Sequence, residues 1–268
     1  MNKKKLIIAI LVTMMILVGC GNNQEDNQSS IPAREVENCD MMITIIEQGE
    51  TTDIYGKYTG PVVAGKPHGE GTFLAENDNI VYEYNGYFME GRYNGYGTST
   101  VTIDGVTTEM AGTYTNGEFT PTPGESFDYV GQFEVFGYFA ISEEIIEYID
   151  ANTNLFPITN KDTVKSIALE DFSYKQFVKT RKQDQIGLVK KSLYVAQIFE
   201  DDFLDGKLTS ILGVDNDDNY YVVYYLDSVD VYDGDRIVTY AVPCTTSSFS
   251  NIGGGTTNVV VMAACYIE

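Results

Sequence analysis

A glycine pattern that recurs every 26 residues is the feature that most constrains the fold of this chain. Residues 58 to 71 and residues 84 to 97 both fit Y-x-G-x4-G-x3-G-x-G, so one tyrosine and four glycines recur at identical spacing. A third copy begins with Gly112 and Gly117 but stops at Pro121. Glycine permits positive φ in tight turns and close approach of neighbouring backbones. Because a single β-hairpin is marginal in water, the pattern predicts several hairpins that share one core.

This repeat resembles the MORN repeat family over roughly residues 54 to 125. The resemblance implies an elongated, repetitive β-sheet and a role in scaffolding, protein contact or membrane association rather than in catalysis. A weaker echo at residues 129 to 133 predicts one more hairpin that caps the stack. Tyr87, Tyr93 and Tyr96 are the predicted ligand contacts of this region, because a contiguous exposed aromatic patch would favour binding over a purely structural role.

The start of the chain predicts export. Lysines at positions 3 to 5 precede a short apolar segment, and Gly19 and Cys20 follow. A basic segment, a short apolar segment and a small residue before the cut are typical of a secretory signal, which is too short to span a bilayer. The sequence L-V-G-C at 17 to 20 resembles the lipobox of bacterial lipoproteins. That resemblance implies cleavage after residue 19, diacylglycerol on the Cys20 thiol, and a protein tethered to the extracytoplasmic face of the cell membrane.

Charge narrows the choice of partner. The chain has 39 acidic and 17 basic side chains, a formal net charge of −22. Such a chain repels phosphate backbones and anionic lipid surfaces, so nucleic acid is not expected as a partner. Contact with the membrane is expected only through the lipid on Cys20.

The second half of the chain predicts a small antiparallel barrel. Short strands are predicted at 188–199, 207–214, 220–226, 236–243 and 256–267. Turn residues separate them, and no crossover helix is long enough for a parallel sheet. The fold class is therefore mainly β. The predicted segments are a signal peptide at 1–19, a lipidated flexible tether at 20–53, a repeat domain at 54–139, a connector with one short helix at 140–168, and a barrel domain at 169–268.

The barrel carries a second resemblance. The strands YYVVYY and GDRIVTYAV, and the ending G-G-x-T-x-x-V-V-V, look like an OB-like domain near the C-terminus of Gram-positive surface lipoproteins. OB-type barrels bind oligosaccharides, oligonucleotides, peptides or proteins, so the resemblance does not select a ligand. Tyrosines lie on both faces of the strand at 220 to 226. One pair is expected to pack in the barrel, and Tyr221 and Tyr225 are the predicted ligand contacts.

Three cysteines remain besides Cys20. Cys244 and Cys265 are symmetric about Gly254 and Gly255, so a hairpin that turns at these glycines would place the two thiols opposite each other. The sequence therefore predicts a disulfide between them, in keeping with an oxidising compartment. Cys39 is left over, and its state stays open.

Catalysis and metal binding are not expected. His68 is the only histidine and lies in a repeat turn where the next copy has Asn94, so it is expected to be a surface residue. Asp215, Asp217 and Asn219 begin like a calcium loop but lack its sixth-position glycine and twelfth-position glutamate, which predicts an acidic turn. Cofactors and metals are not expected. We therefore expect a non-catalytic binding or scaffolding protein that contacts another envelope protein or a cell-wall glycan.

Two other functions stay open at this stage. The first is an architectural spacer that has no specific ligand. The second, which the residues favour less, is a glycan hydrolase that uses paired carboxylates. Glu143, Glu144 and Glu147 would be candidates for such a pair, but their position at the start of a predicted helix explains them without chemistry.

Overall fold

The chain folds into two units with a mainly β architecture, which confirms the predicted fold class. We analysed a computed structural model, which describes residues 33–47, 50–77, 79–133, 135–158, 160–169, 172–180, 185–251 and 253–268. The chain divides after Pro121. The predicted signal peptide and Cys20 lie outside the described residues.

The repeat glycines occupy the tight turns that their spacing predicts. Two-residue turns lie at Ala64–Gly65, Glu90–Gly91 and Asn116–Gly117, and both residues of each turn have positive φ. Their φ angles are 50° and 75°, 52° and 80°, and 53° and 97° in chain order. This is the geometry of the turns that join antiparallel strands in tight hairpins, and glycine adopts it without steric cost.

These turns connect eight strands into one sheet. The strands are β1 (Arg34–Glu47), β2 (Glu50–Val63), β3 (Lys66–Pro67), β4 (Gly69–Asn77), β5 (Ile80–Met89), β6 (Arg92–Ile103), β7 (Val106–Thr115) and β8 (Glu118–Phe119). Their order in the sheet is β1-β8-β7-β6-β5-β4-β2-β3, and β1 also pairs with β2. Strand β1 therefore contacts both the first and the last repeat strands.

The other repeat glycines make room for buried tyrosine rings. A Cβ atom on Gly71 would collide with the hydroxyl of Tyr58, and a Cβ atom on Gly97 would collide with the hydroxyl of Tyr84. Both tyrosines are fully buried, and they are equivalent residues of the first two repeats. The spacing Y-x12-G thus encodes one packing unit, in which a tyrosine ring packs directly against a glycine of the neighbouring strand.

The predicted tether at 20–53 is wrong over its second half. Residues of β1 pair with β2 from Arg34↔Val62 to Glu47↔Glu50, and Ile43 and Ile45 are buried in the core of the first sheet. Burial alternates along β1, because side chains of a strand point to opposite faces in turn, and Cys39, Ile43 and Ile45 lie on the buried face. The part of the predicted tether before residue 33 lies outside the described residues.

The second unit contains a closed five-stranded barrel. Its strands are β9 (Val189–Phe203), β10 (Gly206–Val214), β11 (Tyr220–Tyr225), β12 (Arg236–Ser250) and β13 (Thr256–Ile267), in the order β10-β11-β13-β12-β9. All pairs are antiparallel except β11 and β13, which run parallel. The five strands lie where the sequence predicts them, although β9 and β12 extend further.

Four short helices belong to the second unit. They are α1 (Pro123–Val130), α2 (Glu143–Asp150), α3 (Lys161–Ile167) and α4 (Tyr174–Thr180). The expected hairpin at 129–133 is wrong, because α1 covers its first residues. Thr122 and Glu125 cap each other's backbone N–H groups at the start of this helix, and Pro123 fits its first turn.

The predicted connector at 140–168 is an integral part of this unit. Alternate residues of β13 divide between two buried clusters: Val260 and Met262 pack inside the barrel, whereas Val259 and Val261 pack on its outer face. The outer cluster includes residues of α1, α2 and α3, among them Phe127, Ile149 and Val164. Apolar residues at helical spacing therefore cover the barrel instead of bridging two domains.

The predicted disulfide between Cys244 and Cys265 is wrong. Both thiols are free and buried. Strands β12 and β13 pair with bulges between Pro243 and Thr245 and between Tyr240 and Ala241, so neither cysteine has the other as its opposite residue. Burial raises the pKa of each thiol to about 12. Cys39 is disulfide-bonded.

Candidate functional site

Two exposed tyrosines lie side by side on the solvent face of the first sheet. Alternation along β5 and β6 buries Tyr84, Phe88 and Tyr93 and turns Tyr87 and Tyr96 outward. Tyr87 is 37% exposed and Tyr96 is 65% exposed. Gly86 pairs with Gly97, and the register of the two strands shifts directly after this pair, so Tyr87 lies at a bulge across from the segment that carries Tyr96.

Polar residues continue this line on both sides. Glu70 of β4 lies directly opposite Tyr87, and Thr113 of β7 lies directly opposite Tyr96. We call Glu70, Tyr87, Tyr96 and Thr113 the tyrosine row. Its members come from four adjacent strands, so two aromatic rings lie between a carboxylate and a hydroxyl on one face of the sheet.

The buried core holds the backbone under this row. The hydroxyl of Tyr84 donates a hydrogen bond to the backbone carbonyl oxygen of Tyr87 at 3.2 Å. The equivalent tyrosine of the first repeat, Tyr58, donates to the carbonyl oxygen of Pro61 at 2.9 Å. Burial raises the pKa of Tyr84 far above its usual range, so this hydroxyl remains a donor. The repeat therefore fixes the strand segment that carries the exposed ring.

His68 lies at the margin of the tyrosine row. Its ring centroid is 6.3 Å from that of Tyr87, in an edge-on arrangement, and its backbone N–H donates to Pro61 at 2.9 Å. The side chain is half-buried in the repeat turn. The His68 side chain therefore packs edge-on beside the exposed ring of Tyr87.

Tyr93 is not a surface contact, so this part of the prediction is wrong. Its ring is buried and stacks on Tyr84, with centroids 3.5 Å apart and an angle of 8° between the planes. Burial raises the pKa of its hydroxyl strongly. The sequence contained a usable signal, because residues 93 and 96 are an odd number apart and so cannot share one face of a regular strand.

The barrel tyrosines also differ from the prediction. Tyr221 is buried inside the barrel, where its hydroxyl donates to Asp215 at 3.0 Å, so it cannot be a surface contact. Tyr225 is half-buried beside the inner cluster. Tyr224 is buried on the outer face and packs against Phe139 at a centroid distance of 5.5 Å.

The acidic turn after β10 is held by a network of hydrogen bonds and one ion pair. The carboxylate of Asp215 accepts hydrogen bonds from Asn219 and from Tyr221, and it pairs with Lys191 at 3.5 Å. Burial acts to raise the pKa of Asp215, but the hydrogen bonds from Asn219, Asp217 and Tyr221 outweigh it and lower that pKa. The ammonium of Lys191 also lies 5.1 Å from the ring centroid of Tyr221. The hydrogen bonds and the ion pair thus give the Asp215 carboxylate partners within the fold. This is the structural role that the predicted acidic turn implies.

Two general features complete the description. Within the described residues, no group of three or more histidine, cysteine, aspartate or glutamate side chains is arranged to hold a metal ion. The helices of the same residues include none that is long and apolar enough to cross a membrane.

Comparisons with known proteins give no match. No family model matches the chain, and no curated protein or solved structure is significantly similar to it.

Proposed function

We propose that this chain is a lipid-anchored, non-catalytic binding protein of the cell envelope, and that its tyrosine row binds a cell-wall glycan. The observation that carries the proposal is the juxtaposition of Tyr87 and Tyr96 on the solvent face of adjacent strands. Exposed aromatic rings that a core holds in place lose little freedom on binding, which favours recognition.

The chemistry of the row suits a sugar. Each tyrosine combines an apolar ring face, which packs on the C–H face of a pyranose, with a hydroxyl that hydrogen-bonds. Glu70, opposite Tyr87, adds a carboxylate that accepts hydrogen bonds from sugar hydroxyls. The net charge of −22 disfavours phosphate-rich partners but does not oppose a neutral glycan.

The anchor and the two units fit this role. The lipobox-like sequence that ends at Cys20 would attach the chain to the membrane, with both units outside the cell. This anchor requires the Cys20 thiol to carry the lipid instead of pairing with Cys39. Turns that recur at 26-residue intervals support a MORN-type repeat sheet. A closed barrel of five strands supports an OB-type domain.

Another envelope protein and a purely architectural role are the competing functions. The architectural role has one observation in its favour, which is that Tyr58, Tyr84 and Tyr93 are core residues. Most repeat aromatics thus stabilise the sheet, and the binding proposal rests on two exposed ones, Tyr87 and Tyr96.

Co-sedimentation with isolated cell walls separates these functions. The lipid-free chain, from residue 21 onward, is mixed with intact walls and with walls that have been digested with protease. Binding to both preparations supports a glycan partner. Binding that protease treatment abolishes identifies a wall protein instead. Absence of binding to either preparation would overturn the binding proposal and leave the architectural role.

A further inference from the structure

Strand pairing aligns four outward side chains across the barrel. Tyr220 of β11 lies opposite Val214 of β10, Val214 lies opposite Tyr194 of β9, and Tyr194 lies opposite Arg236 of β12. Directly opposite residues of antiparallel strands share one face of the sheet. We call Tyr220, Val214, Tyr194 and Arg236 the barrel row.

The barrel row faces solvent. Tyr194 is 46% exposed and Tyr220 is 39% exposed, whereas the residues that follow or precede them in the chain, Tyr221 and Leu193, are buried inside the barrel. Arg236 is exposed, and none of the ion pairs among the described residues involves it. Arg236 thus lies directly opposite one exposed ring and in line with a second, and its positive charge stands out in a chain with 39 acidic side chains.

This surface differs from the face by which OB-type barrels usually bind. That face is formed by the second and third strands, here β10 and β11. Its residues Leu212, Val222 and Tyr224 belong to the outer cluster that the helices cover. The barrel row lies at the end of these strands, beside the turn at Asp215, and it reaches across β9 to β12.

We propose that the barrel row binds an oligosaccharide that carries a carboxylate. Tyr194 and Tyr220 are separated by two strand spacings, about 10 Å. Their rings are placed to stack on two sugars of one chain, with Val214 under the sugar between them. Arg236, one further strand away, presents a planar guanidinium that matches a carboxylate in a two-point hydrogen-bonded pair.

This site is independent of the tyrosine row, because the two share no residue and lie in different units. The two rows also favour different ligands. Glu70 flanks the tyrosine row and suits a neutral glycan, whereas Arg236 ends the barrel row and suits an acidic one.

Two defined probes test the proposal: hyaluronan hexasaccharide, which carries carboxylates, and chitohexaose, which is neutral. Each is titrated into the lipid-free chain by calorimetry. We expect the carboxylated probe to bind more tightly. Arg236→Gln should weaken binding of the carboxylated probe by about tenfold or more, which is the usual effect of a lost charge-assisted hydrogen bond. The same substitution should change the affinity for the neutral probe little.

The aromatic residues are tested with a matched control. Tyr194→Ala and Tyr220→Ala should each weaken the binding of both probes. Tyr232→Ala should leave both affinities unchanged, because Tyr232 is 68% exposed but lies outside the barrel row. The double variant Tyr87→Ala/Tyr96→Ala should still bind the carboxylated probe, which separates this site from the tyrosine row. The milder Arg236→Lys tests the two-point pair without loss of charge and should also weaken binding.

Three results would overturn the proposal. The first is no measurable binding of the carboxylated probe to the unaltered chain. The second is unchanged affinity in Arg236→Gln, with the variant melting at the temperature of the unaltered chain. The third is an equal loss of affinity in Tyr232→Ala and in the two row variants.

Discussion

The hydroxyl of Tyr84, fully buried in the repeat core, donates a hydrogen bond to the backbone of Tyr87, whose own ring faces solvent. This hydrogen bond thus links the buried tyrosine core of the repeat to the tyrosine row, the surface that we propose to bind a glycan. Tyr84→Phe should lower the free energy of unfolding by about 1 kcal/mol, because the Tyr87 carbonyl loses its donor while the ring packing is kept. Urea unfolding followed by circular dichroism measures this, and an unchanged midpoint would mean that the hydroxyl contributes nothing.

Gly97→Ala should destabilise the first unit by about 1–3 kcal/mol, because the added methyl group would collide with the hydroxyl of Tyr84. Gly206→Ala is the matched control, since a Cβ at this strand glycine would have its nearest neighbour 4.0 Å away. We expect the control to change stability by less than about 0.5 kcal/mol. Equal effects of the two substitutions on urea unfolding would refute the proposed packing unit.

Stability should fall steeply in alkali. Burial raises the pKa of Tyr58 to about 12, against about 10 in an unfolded chain. The folded state thus favours the neutral phenol, so this contribution is complete below pH 10 and disappears as the pH rises from 10 to 12. Tyrosinate absorbance compared between the native chain and Tyr58→Phe measures the titration. Ionisation of Tyr58 near pH 10 in the folded chain would contradict the expectation.

Cys244 and Cys265 should resist thiol reagents in the native protein and react fully after denaturation. Both thiols are buried, and a pKa of about 12 keeps them protonated at neutral pH. Iodoacetamide labelling with and without urea, read by mass spectrometry, measures this. A peptide pair joined through residues 244 and 265 would instead restore the disulfide that the sequence suggested.

Cys20→Ala should move the protein from the membrane fraction to the soluble fraction, because the diacylglycerol would have no thiol to attach to. Mass spectrometry of the mature N-terminus provides a direct reading. A diacylglyceryl group on Cys20 would support the anchor, and a disulfide that joins Cys20 to Cys39 would exclude it, since one thiol cannot form both bonds.

The repeat architecture was predictable because its determinants are local. A two-residue turn needs positive φ, and a ring that lies over a backbone needs a glycine, so the spacing of Tyr84, Gly91 and Gly97 encodes the hairpin directly. Strand β1 carries no such motif, and its place in the sheet comes from a hairpin with β2 and from long-range pairing with β8. The capping box at Thr122 is a local signal too, and it favours the start of helix α1 over the expected hairpin.

The surface sites were less predictable, for physical reasons. Two bulges in the pairing of β12 and β13 separate the cysteines, and a bulge leaves no clear mark in sequence. Alternation along the strand places Tyr93 and Tyr96 on opposite faces, but it does not show which of the two faces is buried. The barrel row depends on the register of four strands at once, and only the folded chain reveals that Tyr194 and Arg236 are neighbours.

The measurement that tests the central proposal most directly is the affinity of the lipid-free chain for protease-treated cell walls, compared between three proteins. These are the unaltered chain, Tyr87→Ala/Tyr96→Ala, and Tyr55→Ala, whose ring is 54% exposed on the same sheet but outside the tyrosine row. We predict at least about a tenfold loss in the double variant, typical of two aromatic contacts, and no change in the control. Equal affinity of all three proteins would contradict a binding role for the tyrosine row.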